Sequence, residues 1–142
     1  MSPREYASRS DSDFFYVAEE NKIVRAFLMC YDDKNLERMV TDSMMGHEDN
    51  LVRFVLQQGR PFIFGDQIGV QPEFQNHGIG NYMLDRLFSD MKSCEIHDIY
   101  VGVLKSPATN TESIDFVTDY GFDEVSQIMN DDKHLWSVYK KN

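Results

Sequence analysis

The sequence predicts one α/β domain, a mixed central sheet with helices on both faces. Apolar runs pair up as hairpins at both ends of the chain, and a strand–helix–strand unit lies between them. The second strand of that unit, "HDIYVGVLK", is apolar almost throughout, as a strand covered on both faces must be. At 142 residues the chain is the size of one domain and buries about two-thirds of its unfolded surface. Its 42% hydrophobic and 13% aromatic residues belong to a chain with a core and not to a disordered tail.

The elements follow in order. Residues 1–13 are polar, without a period, and read as a lead-in. Two apolar runs, Phe14 to Ala18 and Ile23 to Tyr31, flank Glu19-Glu20-Asn21-Lys22 as an antiparallel hairpin. Residues 32–61 form a helical insert. Asp32 or Asp33 caps a first helix bearing Leu36, Met39 and Val40, and Leu51, Phe54, Val55 and Leu56 mark a second, stopped at Gly59-Arg60-Pro61. "PFIFGDQIGV" is then a strand ending at Val70, where Gly65 and Gly69 signal a bulge or a close backbone approach. Ile79, Met83, Leu84 and Leu87 repeat at helical spacing behind Gly78 and Gly80. "NTESIDFVTDYGF" is a short helix closed by Gly121. "FDEVSQIMN" and "HLWSVYKK" form a last hairpin around Asp131-Asp132-Lys133. The aromatics Phe14, Phe15, Tyr16 and Trp136 read as sheet core, and the methionines, Met44 and Met45 among them, as packing.

Charge and cysteines narrow the function. With 14 basic against 24 acidic side chains, a net charge of −10, the chain lacks the clustered cations a nucleic-acid surface needs. It carries no signal peptide and no membrane-length apolar run, which predicts a cytoplasmic protein that binds no membrane. Cys30 and Cys94 match no metal or redox spacing and read as buried or half-buried thiols. His47-Glu48-Asp49 reads as an acidic helix start, because adjacent residues rarely converge on one ion; no metal site is expected. Asp123-Glu124 and Asp131-Asp132 read as solvated turn charges.

"QNHGIGN", residues 75–81, is where chemistry enters. A helix whose first turn starts at glycines presents free N–H groups and its positive dipole end, which suits a phosphate. The spacing is neither a dinucleotide fingerprint nor a phosphate loop of the Gly-Lys-Ser/Thr kind. In context, though, "IGVQPEFQNHGIGNYMLDRLF" resembles the acetyl-CoA signature of the GNAT N-acetyltransferase superfamily, Gln/Arg-x-x-Gly-x-Gly/Ala after a strand and turn. The later helix resembles that superfamily's as well, with Asn110, Ser113, Phe116, Gly121 and Phe122 in register. A subgroup with a long segment between its third and fourth strands and an Ile-Asp-Arg-Ile-Val-Val-like strand is similar at Asp32 to Pro61 and Gly65 to Val70.

The resemblance implies a fold shortened at its N-terminus and an acetyl-CoA-dependent N-acetyltransferase acting on a primary amine in a ternary complex. It implies that backbone at Ile68, Gly69 and Val70 pairs with the pantetheine arm. Gln75, Asn76, His77, Gly78, Ile79, Gly80 and Asn81 would then hold the pyrophosphate, with Asn110, Ser113 and Phe116 beyond them. Asp66 matches the subgroup's acid and becomes the candidate base; read by itself it is a hydrogen-bonded acid near a bulge. Val117 stands where many members carry a Tyr that protonates the thiolate, and Tyr120 falls on another helical face. The family's first strand and two helices have no counterpart before Phe14. The helical insert, or a second copy in a homodimer, would supply that wall, unless the chain is a shortened version. The alternative function is a CoA-binding or interaction module with weakened chemistry.

Overall fold

The computed structural model describes residues 13–41, 49–75 and 77–142. Six strands form one sheet in the order β1-β2-β3-β4-β6-β5. β1 (Phe15–Glu20) and β2 (Ile23–Asp32) make the first hairpin. Its two-residue turn puts Asn21 at φ 53° and Lys22 at φ 66°, the left-handed pair that matches the twist of adjoining strands. β3 (Phe62–Val70) lies antiparallel to β2 and parallel to β4 (Asp98–Ser106). β5 (Asp123–Met129) and β6 (Leu135–Lys141) form the terminal hairpin, and β6 inserts beside β4. Asp123 and Glu124 therefore open a strand, where the sequence had suggested a turn.

Helices cover both faces. α1 (Asp33–Thr41) and α2 (Asn50–Leu56) belong to the insert. Their Leu36, Met39, Leu51, Val52 and Val55 pack with Met29, Tyr31, Phe62, Phe64, Tyr100 and Val138 of the sheet. On the other face, α3 (Ile79–Ser93) sets Met83, Leu84, Leu87 and Met91 against Leu28, Cys30, Ile63 and Ile99, and α4 (Thr111–Tyr120) adds Val117. Each strand's two-residue alternation thus feeds a separate core.

The caps explain where the helices begin and end. Asp32 Oδ1 accepts from Asn35 N–H at 2.8 Å, which resolves the choice of cap for α1. Asp33 is instead buried, accepting from Phe62 N–H at 3.4 Å with Arg60 3.9 Å away. Asp49 caps α2 through Val52 N–H; His47 and Glu48, like Met44 and Met45, lie outside the described residues. The start of α2 is also tied to the terminal hairpin, where Asn50 donates to Met129 C=O and Leu51 N–H to Asn130 Oδ1. Cys30 is buried as expected, whereas Cys94 is exposed, because it follows α3 just past its last buried turn.

α4 ends at Gly121, whose φ of 109° only glycine adopts without strain. Gly121→Ala is expected to destabilise the fold by about 1 kcal/mol, read as a lower urea midpoint with an unchanged slope.

Candidate functional site

The central parallel pair comes apart partway along the sheet. β3 and β4 are paired from Phe62↔Asp98 to Gly65↔Val101 and no further. Beyond that point β3 stays on β2 as far as Ala26↔Val70, and β4 stays on β6 to Ser106↔Leu135. The cause sits at the vertex. Met29 pairs with Gln67 and Cys30 with Gly65, so Asp66 is the extra residue of a β-bulge, and bulges bend and twist a strand away from its neighbour. Gly65 permits the last close pairing, since a Cβ there would lie 2.7 Å from Val101 Cγ1. The result is a wedge whose facing backbone edges carry no ladder between them.

One side of the wedge opens into a cleft of about 610 Å3. Ile68 and Val70 form its floor, Phe74 and Gln75 one shoulder, and the residues Gly78 to Asn81 of α3's start another. Ser113 and Phe116 of α4 close it. Gly78 takes φ 83° and gives α3 no side-chain cap, and the first turn holds no acid. A helix start of this kind is one that favours an anion.

The predicted residues do not all share one place. Ile68, Val70, Gln75, Gly78, Ile79, Gly80, Asn81, Ser113 and Phe116 all line the cleft. Gly69 faces the other side, where a Cβ would overlap the Phe27 ring. His77 is exposed and outside the lining. Asn110 caps α4 by accepting from Ser113 N–H at 3.2 Å, and Asn76 lies outside the described residues.

The glycines act differently from one another. A Cβ on Gly78 would meet nothing within 4 Å, so its role is conformational. A Cβ on Gly80 would come within 3.0 Å of the Phe116 ring, so this glycine lets α3 approach α4.

Sequence reasoning missed Phe74 and a row of acids, Glu112, Asp115 and Asp119, which also line the cleft. The signal was present: positions 112, 115, 116 and 119 share one helical face with the motif residues of α4. Among the described residues, no Lys, Arg or His belongs to the lining. Arg25 approaches from behind it, donating to Gln71 Oε1 at 2.9 Å with its guanidinium 4.8 Å from the Phe74 ring centre.

Asp66 stands at the vertex and outside the cleft lining. It is half-buried and accepts a hydrogen bond from Tyr31 Oη at 2.5 Å. Burial pushes the neighbouring Cys30 thiol's pKa far up, and the charge of Asp66 adds to that shift. Val117 is core. Tyr120 turns toward α3, where it stacks on Phe88 and donates to Asp85 Oδ1 at 2.5 Å; burial first, then that acceptor, raises its pKa. Among the described residues no cluster of His, Cys, Asp or Glu is arranged to hold a metal, and no helix is long and apolar enough to cross a membrane.

A sheet splayed between its central parallel strands, with a glycine-opened helix at the mouth, defines a scaffold for an extended, phosphate-bearing donor. The chain belongs to the acetyltransferase (GNAT) family, whose model matches residues 2–122. Family membership makes it an acyltransferase with acetyl-CoA as donor. Solved structures share the fold at low identity. Arabidopsis thaliana Naa50, in complex with the bisubstrate analogue CoA-Ac-MVNAL, is 18% identical with a TM-score of 0.67, over 100% of this chain and 82% of that one. Chaetomium thermophilum Naa20, in complex with a bisubstrate analogue, is 14% identical with a TM-score of 0.73, over 99% and 73%. The ribosomal-protein-S18-alanine N-acetyltransferase of Escherichia coli is 15% identical with a TM-score of 0.64, over 99% and 76%. By sequence, no curated protein matches the chain significantly.

Proposed function

We propose that the chain moves the acetyl group of acetyl-CoA to a primary amine by direct attack within a ternary complex. The wedge between β3 and β4 carries this reading. Its unpaired strand edges at Ile68 to Val70 suit an extended pantetheine arm, which replaces the missing ladder with its own amides. The start of α3 suits the pyrophosphate. The amine nitrogen bonds to the acetyl carbon as the C–S bond breaks; Asp66 takes the amine proton, directly or through water, and the departing thiolate takes one from solvent. No side chain of α4 is assigned the thiolate proton, because Val117 has none to give and Tyr120 is committed to Asp85.

A peptide or protein amine is the favoured acceptor over a small molecule. Naa50, solved in complex with the bisubstrate analogue CoA-Ac-MVNAL, supports that choice. The insert helices α1 and α2, covering the face opposite α3 and α4, are the segment we assign to the wall that the family usually builds before its first hairpin. A module with weakened chemistry is the alternative, favoured by Val117 and by the acids in the cleft.

The donor site is tested by Asn81→Glu. Asn81 is exposed and lines the cleft in the first turn of α3. A Glu there suits the helix dipole, so the fold is unharmed, but it sets a negative charge against the phosphates. Calorimetric titration is expected to show acetyl-CoA bound about tenfold more weakly than by the native chain. Equal affinity would remove the phosphates from this turn. Gly80→Glu is the poorer test, since its Cβ strikes Phe116 whatever binds.

A further inference from the structure

We propose that Tyr31 is a positioning residue for acetyl transfer, fixing the Asp66 carboxylate at the vertex of the wedge. This rests on the reading of Asp66 as the group that takes the amine proton.

A bulge residue sits outside the ladder on its own strand, so the pairing that locks an ordinary strand residue does not fix its side chain. Here the fixing comes from across the sheet. Tyr31 lies on β2, paired with Phe64, two positions before the bulge on β3. It is 0% exposed, and its ring stacks on Phe64 at a centroid distance of 6.5 Å. The ring is immobilised in the core shared by α1 and α2. Its hydroxyl donates to Asp66 Oδ2 at 2.5 Å. A hydrogen bond donated to a carboxylate is charge-assisted and favours the ionised acid. A proton acceptor held ionised in one rotamer is ready each time an acceptor amine arrives.

From β2 Asp66 is faced by the Tyr31 hydroxyl and by the Cys30 thiol, which burial keeps protonated across the working range. β4 brings Val101 alongside Gly65, next to the bulge. The bland role for the bond is to satisfy a buried hydroxyl. That role and the positioning role part company in kinetics.

The experiment compares the native chain, Tyr31→Phe, Asp66→Asn and the double variant, with acetyl-CoA and a peptide amine. Calorimetric acetyl-CoA affinity reports that each is folded. Tyr31→Phe keeps the stacked ring and removes only the donor. It is expected to lower kcat about tenfold, leave the KM for acetyl-CoA unchanged, and move the acid limb of the pH–rate profile up by about one pH unit. On the Asp66→Asn background the same change is expected to do nothing more. Native kcat and an unmoved limb in Tyr31→Phe, with Asp66→Asn inactive, would overturn the role of Tyr31 alone. A further tenfold loss in the double variant would also overturn it, because Tyr31 would then act apart from Asp66. Asp66→Asn at the native rate would instead bring down the reading of Asp66, and this proposal with it. If Tyr31→Phe fails to bind acetyl-CoA, Asp66→Glu tests the same geometry: a carboxylate displaced from the hydroxyl must lower kcat, and native kcat would overturn the proposal.

Discussion

Asp66→Asn should lower kcat by about 100-fold or more and leave the acetyl-CoA dissociation constant within about twofold of the native value. The two halves of this expectation come from two places. Asp66 lies at the vertex, outside the lining of the cleft, so its charge touches no donor contact that the geometry supports. The amide keeps the size of the acid, and its Oδ1 still accepts from the Tyr31 hydroxyl, so the bulge keeps its shape. What is lost is the capacity to take a proton. Attack on a thioester needs a neutral amine, and a positioned carboxylate removes the proton as the C–N bond forms. Without it, the residual rate should follow the free-base fraction of the acceptor, rising with pH across the acceptor's own pKa. The native profile should instead show an acid limb where Asp66 protonates. Steady-state kinetics across pH, with a peptide amine as acceptor, measures both. A variant that kept the native kcat and limb would show that proton removal belongs to water or to another group.

Much of the fold was legible because local chemistry and tertiary demand agree. The paired apolar runs around Asn21-Lys22 and Asp131-Asp132-Lys133 are hairpins in the structure, and Gly121 ends α4 with a positive φ. The Gly65 signal was also real, since the bulge falls beside it. The wedge was not legible. It depends on one unpaired residue on β3 and on where two ladders stop, and register is a property of strands brought together from distant sequence. The same holds for Tyr31 and Asp66, 35 positions apart, and for Asp33 beneath Phe62 N–H, whose burial contradicts its residue type until the partner is seen. Gly80 has a second role that its pattern does not show. A glycine opening a helix reads as space for an anion, and here the Phe116 ring also needs that space, a neighbour no pattern around residue 80 reveals. The acids of α4 were a different failure. Their spacing was plain in "NTESIDFVTDYGF", but that this face lines a cleft shows only once α4 is packed beside α3.

Those acids carry the second large effect. Neutralising Glu112, Asp115 and Asp119 together, as Gln, Asn and Asn, should tighten acetyl-CoA binding about tenfold at low salt. Three carboxylates line a cleft to which the described residues bring no Lys, Arg or His, in a chain of net charge −10. The donor is itself a polyanion. Its attraction to the start of α3 comes from partial charges that fade within one turn, while the repulsion comes from whole ones. At separations near 10 Å each repulsive pair costs about 0.5 kcal/mol through water-like dielectric; three of them reach the stated factor. The acids are exposed, so salt screens them, with a Debye length of about 10 Å at 0.1 M. The native chain should therefore bind acetyl-CoA more tightly as salt rises, the reverse of a cleft built on cations. The triple variant should lose most of that dependence, and the two affinities should converge at high salt. Calorimetry at three salt concentrations decides it. Native affinity that falls with salt would mean that cations reach the phosphates, with Arg25 behind Phe74 the first to examine. Affinity that rises would make donor capture in this acetyltransferase depend on its ionic surroundings, because α4 opposes the charge that α3 attracts.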